Sequence, residues 1–370
     1  MDWADSGSRG SLLTRLHLDG PLLALLLLLA GIGMATVYSA SGENLALVIA
    51  QGKRLGLGLL TLIVVAQCPP DWFRTLSPWA YLCGAILLLL VLVLGDESKG
   101  AQRWLDLGVL RFQPSELMKL AVPLAVASFL HHRHLPPGFF TILISTLLLL
   151  IPTLLIARQP DLGTALLVAA AGGFALYFAG LRWRVILGSL VLAAAAAPLV
   201  WFQLLRDYQR QRILTLIDPS SDPVGAGYHI AQSKIAIGSG GWYGKGWLEG
   251  TQARLDFLPE ANTDFIFAVF AEEFGLWGVL GLLLLYVAII ARGLYIASRA
   301  PDTFSRLMVA SLSLTFFIYV FVNIGMVVGL LPVVGVPLPL VSYGGTAMVT
   351  LLTGFGLMMS VHTHRKLLSQ

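Results

Sequence analysis

Charge is scarce in this chain: Asp, Glu, Lys and Arg supply 12% of its 370 residues, against 57% hydrophobic residues and a mean hydropathy of +0.80. That shortage excludes an ordinary soluble domain and implies a polytopic membrane protein. Cysteine is nearly absent. Cys68 and Cys83 lie at or within apolar segments, form neither a metal spacing nor a disulfide framework, and are expected to be packing residues. A cleavable signal is also missing, because the first apolar run, Leu22 to about Ala40, is too long for a signal-peptide core and lacks a clear cleavage site. It is expected to stay as the first span. The net charge is only +4, and its basic residues are dispersed between apolar runs, so they orient the chain in a membrane rather than bind nucleic acid.

What is present are apolar runs of bilayer-crossing length near 21–40, 48–67, 79–95, 115–130, 139–157, 164–181, 185–205, 264–291, 307–329 and 346–361. They predict one all-α integral membrane domain over residues 1–370, of about ten spans, with both termini on the same side. With the N-terminus inside, the inner connections carry Arg74, Arg133, Arg182, Arg184, Arg292, Arg299, Arg306 and Lys366 among others. The outer ones carry fewer: Lys53, Arg54, Lys99, Arg103, Arg111 and Arg158. This asymmetry predicts N-in and C-in. The cluster His131, His132, Arg133 and His134 then reads as a solvated basic inner loop, not a metal site.

Four outer segments are unlike ordinary connectors, Gly95 to Pro114, Arg158 to Gly163, Arg206 to Thr263 and the connection after Gly329, and the last two are the most unusual. The large extracytoplasmic loop at 206–263, between spans 7 and 8, exceeds normal loop length. It contains DYQRQRILTLIDP, with helix-compatible spacing, and GSGGWYGKGW, which fails the phosphate-loop pattern because Ser239 replaces the first glycine and Gly246 follows Lys245. The Pro/Gly-rich segment 329–345 carries Pro332, Pro337 and Pro339, so it cannot be a continuous helix. At membrane depth such backbone must be buried in protein or line a cavity, so a partly re-entrant outer loop is expected, with Ser342 and Tyr343 near the outer mouth.

The stretch LPEANTDFIFAVFAEEFGLWG organises the rest. Asn262, Thr263 and Asp264 are capping residue types placed before an apolar run. On a helix Asp264, Ala268, Ala271, Glu272 and Gly275 would share one small, acidic face. Carboxylates in or near a membrane are expensive and normally face protein or a water-filled cavity, which makes them functional candidates. Asp264 is thus either a surface helix cap or a reacting group. Glu116 and Lys119 can pair at the start of the fourth span, and Asp161 opens the sixth and can cap it. Arg111, Glu116, Lys119, Asp161, Asp264 and Ser342 belong to different segments yet are expected at one membrane face, as in a shared outward-open site.

The motifs GAQRWLDLG, RFQPSE, QPDLGT, DPVGAGYHIAQSKIAIGSGG, LPEANTDFIFAVFAEEFG and GVPLPLVSYGG occur in this order, and from about Leu18 to the terminal HTHRK the chain resembles the shape, elongation, division and sporulation (SEDS) family, in its RodA, rod-shape-determining branch. The resemblance implies a ten-span peptidoglycan glycosyltransferase that polymerises lipid II outside the inner membrane. It also implies a class B penicillin-binding protein as transpeptidase partner, beside other membrane proteins of the elongation machinery. The family's essential aspartate falls on Asp264, and its polar cavity positions in the fourth span fall on Glu116 and Lys119.

The chemistry is compatible with that expectation. A sugar hydroxyl must attack an anomeric carbon and expel a lipid pyrophosphate, a stable anion. One carboxylate base with cationic stabilisation would therefore suffice, unlike the usual two-carboxylate glycosidase. Asp264 would be that base or would hold a divalent cation (Mg²⁺ or Mn²⁺), while Arg111 and Lys119 offset pyrophosphate charge. Two other classes compete. A lipid II flippase would use the same buried charges as a path, but no internal repeat is visible: both unusual loops lie in the second half. A silent scaffold has no need of carboxylates in the membrane.

Overall fold

In the computed structural model, residues 16–98, 101–106, 111–205, 207–219, 222, 225–255, 257–258 and 260–364 are described. The long helices are α1 (Gly20–Ala40), α2 (Leu45–Gln67) and α3 (Pro70–Leu94), followed after a small sheet by α4 (Pro114–His131), α5 (Phe139–Arg158), α6 (Leu162–Phe178) and α7 (Trp183–Leu199). A π-helical turn, Val200–Leu204, extends α7. Three shorter helices follow: α8 (Asp207–Ile217), α9 (Ala226–Gly240) and α10 (Thr251–Arg254). Then come α11 (Ile266–Ser298), α12 (Thr303–Val327) and α13 (Thr346–Thr363). Each of the ten predicted spans corresponds to one long helix, and among the described residues eight helices, with α7 counted through its π turn, are long and apolar enough to cross a membrane.

Local chemistry explains where the helices start. Asp19 caps α1 by accepting Leu22 N–H at 2.9 Å, with Pro21 in the first turn. Asn44 caps α2 through Ala46 N–H at 3.1 Å, and Asp302 caps α12 through Ser305 N–H at 3.0 Å. In a membrane the remaining backbone groups must be satisfied within each helix, which is why the interior is helical almost throughout. The exception to the all-α expectation is an antiparallel sheet of β1 (Asp96–Ser98), β2 (Ala101–Asp106) and β3 (Arg111–Phe112), in the connection between α3 and α4.

Burial sorts the helices. α12 has most of its residues buried and packs against α4, α6, α11 and α13, so it is the central post of the bundle. α4 is buried along most of its length. α7 stands at the other extreme, with no buried residue. Large apolar side chains such as Leu190, Val191 and Leu192 are exposed along it. Cys83 is likewise exposed, so it is not the packing residue expected; a bundle in lipid shows apolar side chains on its outside.

The organising stretch differs from expectation at both ends. α11 begins at Ile266 after Phe265, with no side-chain cap, so Asp264 lies in the turn before the helix and does not cap it. At the other end Gly275 has φ +62° and breaks the helix. A Cβ there would come within 2.3 Å of Gly244 N, so backbone-to-backbone contact demands glycine. Asp264 and Gly275 therefore do not share a helical face with Glu272. The 206–263 segment is largely helical, including α8 where DYQRQRILTLI was expected to be helical. The 329–345 segment is irregular, and its Val336, Leu338, Leu340, Val341 and Ser342 are buried in protein.

Candidate active site

The beginnings of α4 and α6, the middle of α12 and the irregular segment before α13 enclose a cavity of about 230 Å³. Its wall includes Trp104, Gln113, Glu116, Lys119, Asp161, Thr164, Tyr319, Gly335 and the run Gly344 to Ala347. Pro114 starts α4 with a preset φ, which places Glu116 and Lys119 one turn apart on the inward face. Lys119 Nζ donates to Glu116 Oε1 at 2.6 Å, and both side chains are only 6% exposed. The same ammonium lies 5.0 Å above the Tyr319 ring. Glu116 Oε2 is buried with no hydrogen-bond partner among the described residues, an acceptor available to a hydroxyl, a water or a cation.

Asp161 does cap α6, accepting Thr164 N–H at 3.2 Å, and its other oxygen accepts Gln113 Nε2 at 3.2 Å. It is buried and lines the cavity. Asp264 is half-buried and approaches from behind Gly335: a Cβ built on that glycine would lie 3.3 Å from Asp264 Oδ2. Gly335 adopts φ +73° and forms part of the wall, so the carboxylate sits at the edge of the cavity rather than on its lining.

Ser342 is a backbone staple. Its hydroxyl donates to Thr263 O at 2.5 Å and accepts Leu338 N–H at 2.7 Å, tying the irregular segment to the residue before Asp264. Tyr343 N–H adds a bond to Asn262 O at 2.8 Å, and Arg54 stacks on the Tyr343 ring at 4.4 Å. Arg111 lies in β3 opposite Asp106, and its side chain lies outside the described residues.

Three contributors were not read from the sequence. Asn323, fully buried on α12, donates from one amide to Asp264 O at 2.9 Å and Val336 O at 2.7 Å, so it holds the aspartate and the cavity wall together. Gln51 on α2 donates to Ser342 O at 3.0 Å and accepts Gly344 N–H at 3.3 Å. Tyr319 was the third. The available signal was a polar side chain inside an apolar run. Glu272 and Glu273 face away from this cavity. Glu272 accepts Lys245 Nζ at 2.6 Å, Thr251 N–H at 3.0 Å and Gln252 N–H at 3.2 Å, anchoring the start of α10. Glu273 accepts the Ser39 hydroxyl. Among the described residues no three His, Cys, Asp or Glu side chains gather as a metal-holding group.

A bundle of ten long helices among the described residues that buries an ion pair and one further carboxylate, Asp161, around one cavity defines a multi-pass membrane protein with a polar site inside it. The chain belongs to the cell cycle protein family FtsW/RodA/SpoVE, whose profile matches residues 20–367. It is 54% identical over 366 residues to the peptidoglycan glycosyltransferase MrdB of Escherichia coli (strain K12), covering 99% of both chains. It is also similar to the crystal structure of the Thermus thermophilus rod shape determining protein RodA, with a TM-score of 0.72 and 31% identity over 94% of this chain and 98% of that one. A chain from a peptidoglycan synthase complex that coordinates polymerisation and crosslinking matches with a TM-score of 0.82 and 33% identity, over 94% and 99% of the two chains.

Proposed function

We propose that this protein is a peptidoglycan glycosyltransferase of cell elongation, polymerising lipid II into glycan strands at the outer face of the bacterial inner membrane. Whole-length similarity to MrdB supports the reaction class. The observation that carries the site is the placement of Asp264 against Gly335, at the edge of a cavity that already holds the Glu116–Lys119 pair and Asp161.

In this reading Asp264 takes the proton of the attacking sugar hydroxyl, a contribution of about 10²- to 10⁴-fold in rate. Lys119 supplies fixed positive charge and Glu116 Oε2 a free acceptor for a sugar hydroxyl. Asp161 holds the start of α6, and Ser342 holds the irregular segment beside Asp264. Three carboxylates against one ammonium leave this group net negative, so a pyrophosphate entering beside them favours an accompanying divalent cation such as Mg²⁺ or Mn²⁺. In the alternative reading Asp264 would hold that ion instead of acting as the base, because such cations are commonly held by one or two carboxylates plus substrate. The synthase-complex similarity supports a class B penicillin-binding protein as partner. The basic inner connections support N-in and C-in, with the 206–263 loop and the cavity mouth outside.

The test is lipid II polymerisation by the purified protein, with and without that partner, comparing the parent with Asp264→Asn and Asp264→Ala. Both variants should lose glycan strands while remaining folded and still binding lipid II. Variants as active as the parent would reduce Asp264 to a structural turn residue, and an inactive parent would favour the flippase or scaffold reading.

A further inference from the structure

A second, larger cavity lies at the opposite end of α4. It measures about 670 Å³ and opens between α3, α4 and α5. Glu116 and Ser128 are twelve residues apart on α4, which places the two cavities roughly 18 Å apart along the bundle. The first gathers carboxylates. The second is lined by Arg74 and Arg133, with His132 beside them, and has no carboxylate on its wall among the described residues. Asp71 pairs with Arg74 from the rim at 3.1 Å. Arg133 stacks 5.1 Å above the Phe129 ring and forms no ion pair among the described residues, so its charge is uncompensated.

Behind this mouth the wall becomes apolar. Tyr81 and Leu148 lie deeper, and the Tyr81 hydroxyl is satisfied by Leu148 O at 2.9 Å, so it presents its ring to the cavity. Tyr81 is seven residues beyond Arg74, roughly 10 Å along α3. Three exposed aromatic side chains, Trp72, Phe139 and Phe140, stand on the first turns of α3 and α5 at this same end, and Trp79 is exposed about two turns further along α3. An exposed Trp at a helix start, as Trp72 is, is the residue type enriched at the headgroup level of a bilayer. A cavity whose cations sit at headgroup level and whose apolar wall continues into the hydrocarbon matches an amphipathic anion.

We infer that the α3/α4/α5 cavity is a binding site for an anionic phospholipid, with the phosphodiester held by Arg133 and Arg74 and the acyl chains lying along Tyr81, Phe129 and Leu148. Basic pockets between transmembrane helices recognise lipid phosphates through charge, at a gain equivalent to about fivefold in affinity per basic residue. The site is independent of the glycosyltransferase reading, since it lies at the far end of α4 from Asp264. Arg74 also accepts a structural duty, because its Nη1 donates to His131 Nε2 at 3.1 Å and so ties α3 to α4. Arg133 carries none of that duty, and its exposed side chain makes Arg133→Gln the safer probe.

The experiment is native mass spectrometry of the full chain in mild detergent, titrated with phosphatidylglycerol, with phosphatidylcholine of the same chains, or with phosphatidylglycerol plus inorganic phosphate. Phosphatidylglycerol should be retained at several-fold lower concentration than phosphatidylcholine. Arg133→Gln should weaken retention about fivefold, and Arg74→Gln/Arg133→Gln further, with polymerisation by Arg133→Gln unchanged. Equal retention of the two lipids would overturn the assignment, as would undiminished binding by both variants. Displacement of phosphatidylglycerol by millimolar-range inorganic phosphate would also overturn it, leaving a small-anion site in place of a lipid site.

Discussion

Removing the Lys119 ammonium would strand the Glu116 carboxylate, which is buried and has one oxygen already without a partner. Lys119→Met should therefore cost about 3 kcal/mol or more, whereas Glu116→Gln with Lys119→Met should recover much of that loss. Thermal unfolding in detergent reads both. Gly335→Ala tests the placement of Asp264: the new methyl group would press on Oδ2 at 3.3 Å, in a φ +73° conformation that costs an alanine about 1–2 kcal/mol. Polymerisation should fall about tenfold or more while the helical content is kept. Far from the cavity, burial alone would raise the Asp19 carboxyl. The Arg292 guanidinium, at 2.5 and 3.0 Å, and Leu22 N–H outweigh that and hold it below the ordinary carboxylate value. Because the folded value is depressed, this contribution is complete above the ordinary carboxylate pKa of about 4 and is lost as pH falls through the folded value. Asp19→Asn should flatten the acid limb of the unfolding midpoint below about pH 4 and lower the midpoint at neutral pH. The types of Glu116, Lys119 and Asp161 were legible because charge in an apolar chain is rare. Asn323 and Gln51 were not singled out, because a neutral amide in a span is compatible with many roles until its partner is seen.

At the scale of elements, Glu272 is the hinge between the long α11 and the segment leading into α10. Its carboxylate is fully buried and accepts Lys245 and the backbone of Thr251 and Gln252. Glu272→Ala would leave those donors unpaired, costing about 2–3 kcal/mol locally. Hydrogen exchange over residues 241–255 should accelerate by tens of fold, while the core of α12 stays protected. The helix start at Asp161 followed from capping chemistry read in the sequence, and the structure shows the same residue types capping at Asp19, Asn44 and Asp302. The start of α11 did not, because Asn262, Thr263 and Asp264 are good caps that the tertiary structure uses otherwise: their backbone is claimed by Tyr343, Ser342 and Asn323. The break at Gly275 was also hidden, since its reason is the backbone of Gly244, distant in sequence.

For the whole molecule, the proposed orientation predicts which surfaces an impermeant thiol reagent reaches in intact cells. In a background lacking Cys68 and Cys83, Glu249→Cys should label once the outer membrane is permeabilised, and Asp71→Cys should label only after the inner membrane is opened. Reversal of that pattern would turn the cavity and the phospholipid site to the opposite faces. Number and order of the long apolar helices were legible in the sequence alone, because hydrocarbon demands about twenty apolar residues per crossing and leaves the backbone no alternative to helix, whereas their ends were not: α3 starts at Pro70 rather than near 79, and α11 runs on to Ser298. The sequence also determined that a few charges would be retained at great cost, and so would have a purpose. Only the tertiary structure decided which of them meet. Glu116, Lys119 and Asp161 converge because α4 and α6 pack on α12, while Asp264 joins them because Asn323 and Ser342 bind backbone groups that no residue pattern specifies. Side-chain type is local information, and the pairing of backbone carbonyls across segments tens to hundreds of residues apart is not.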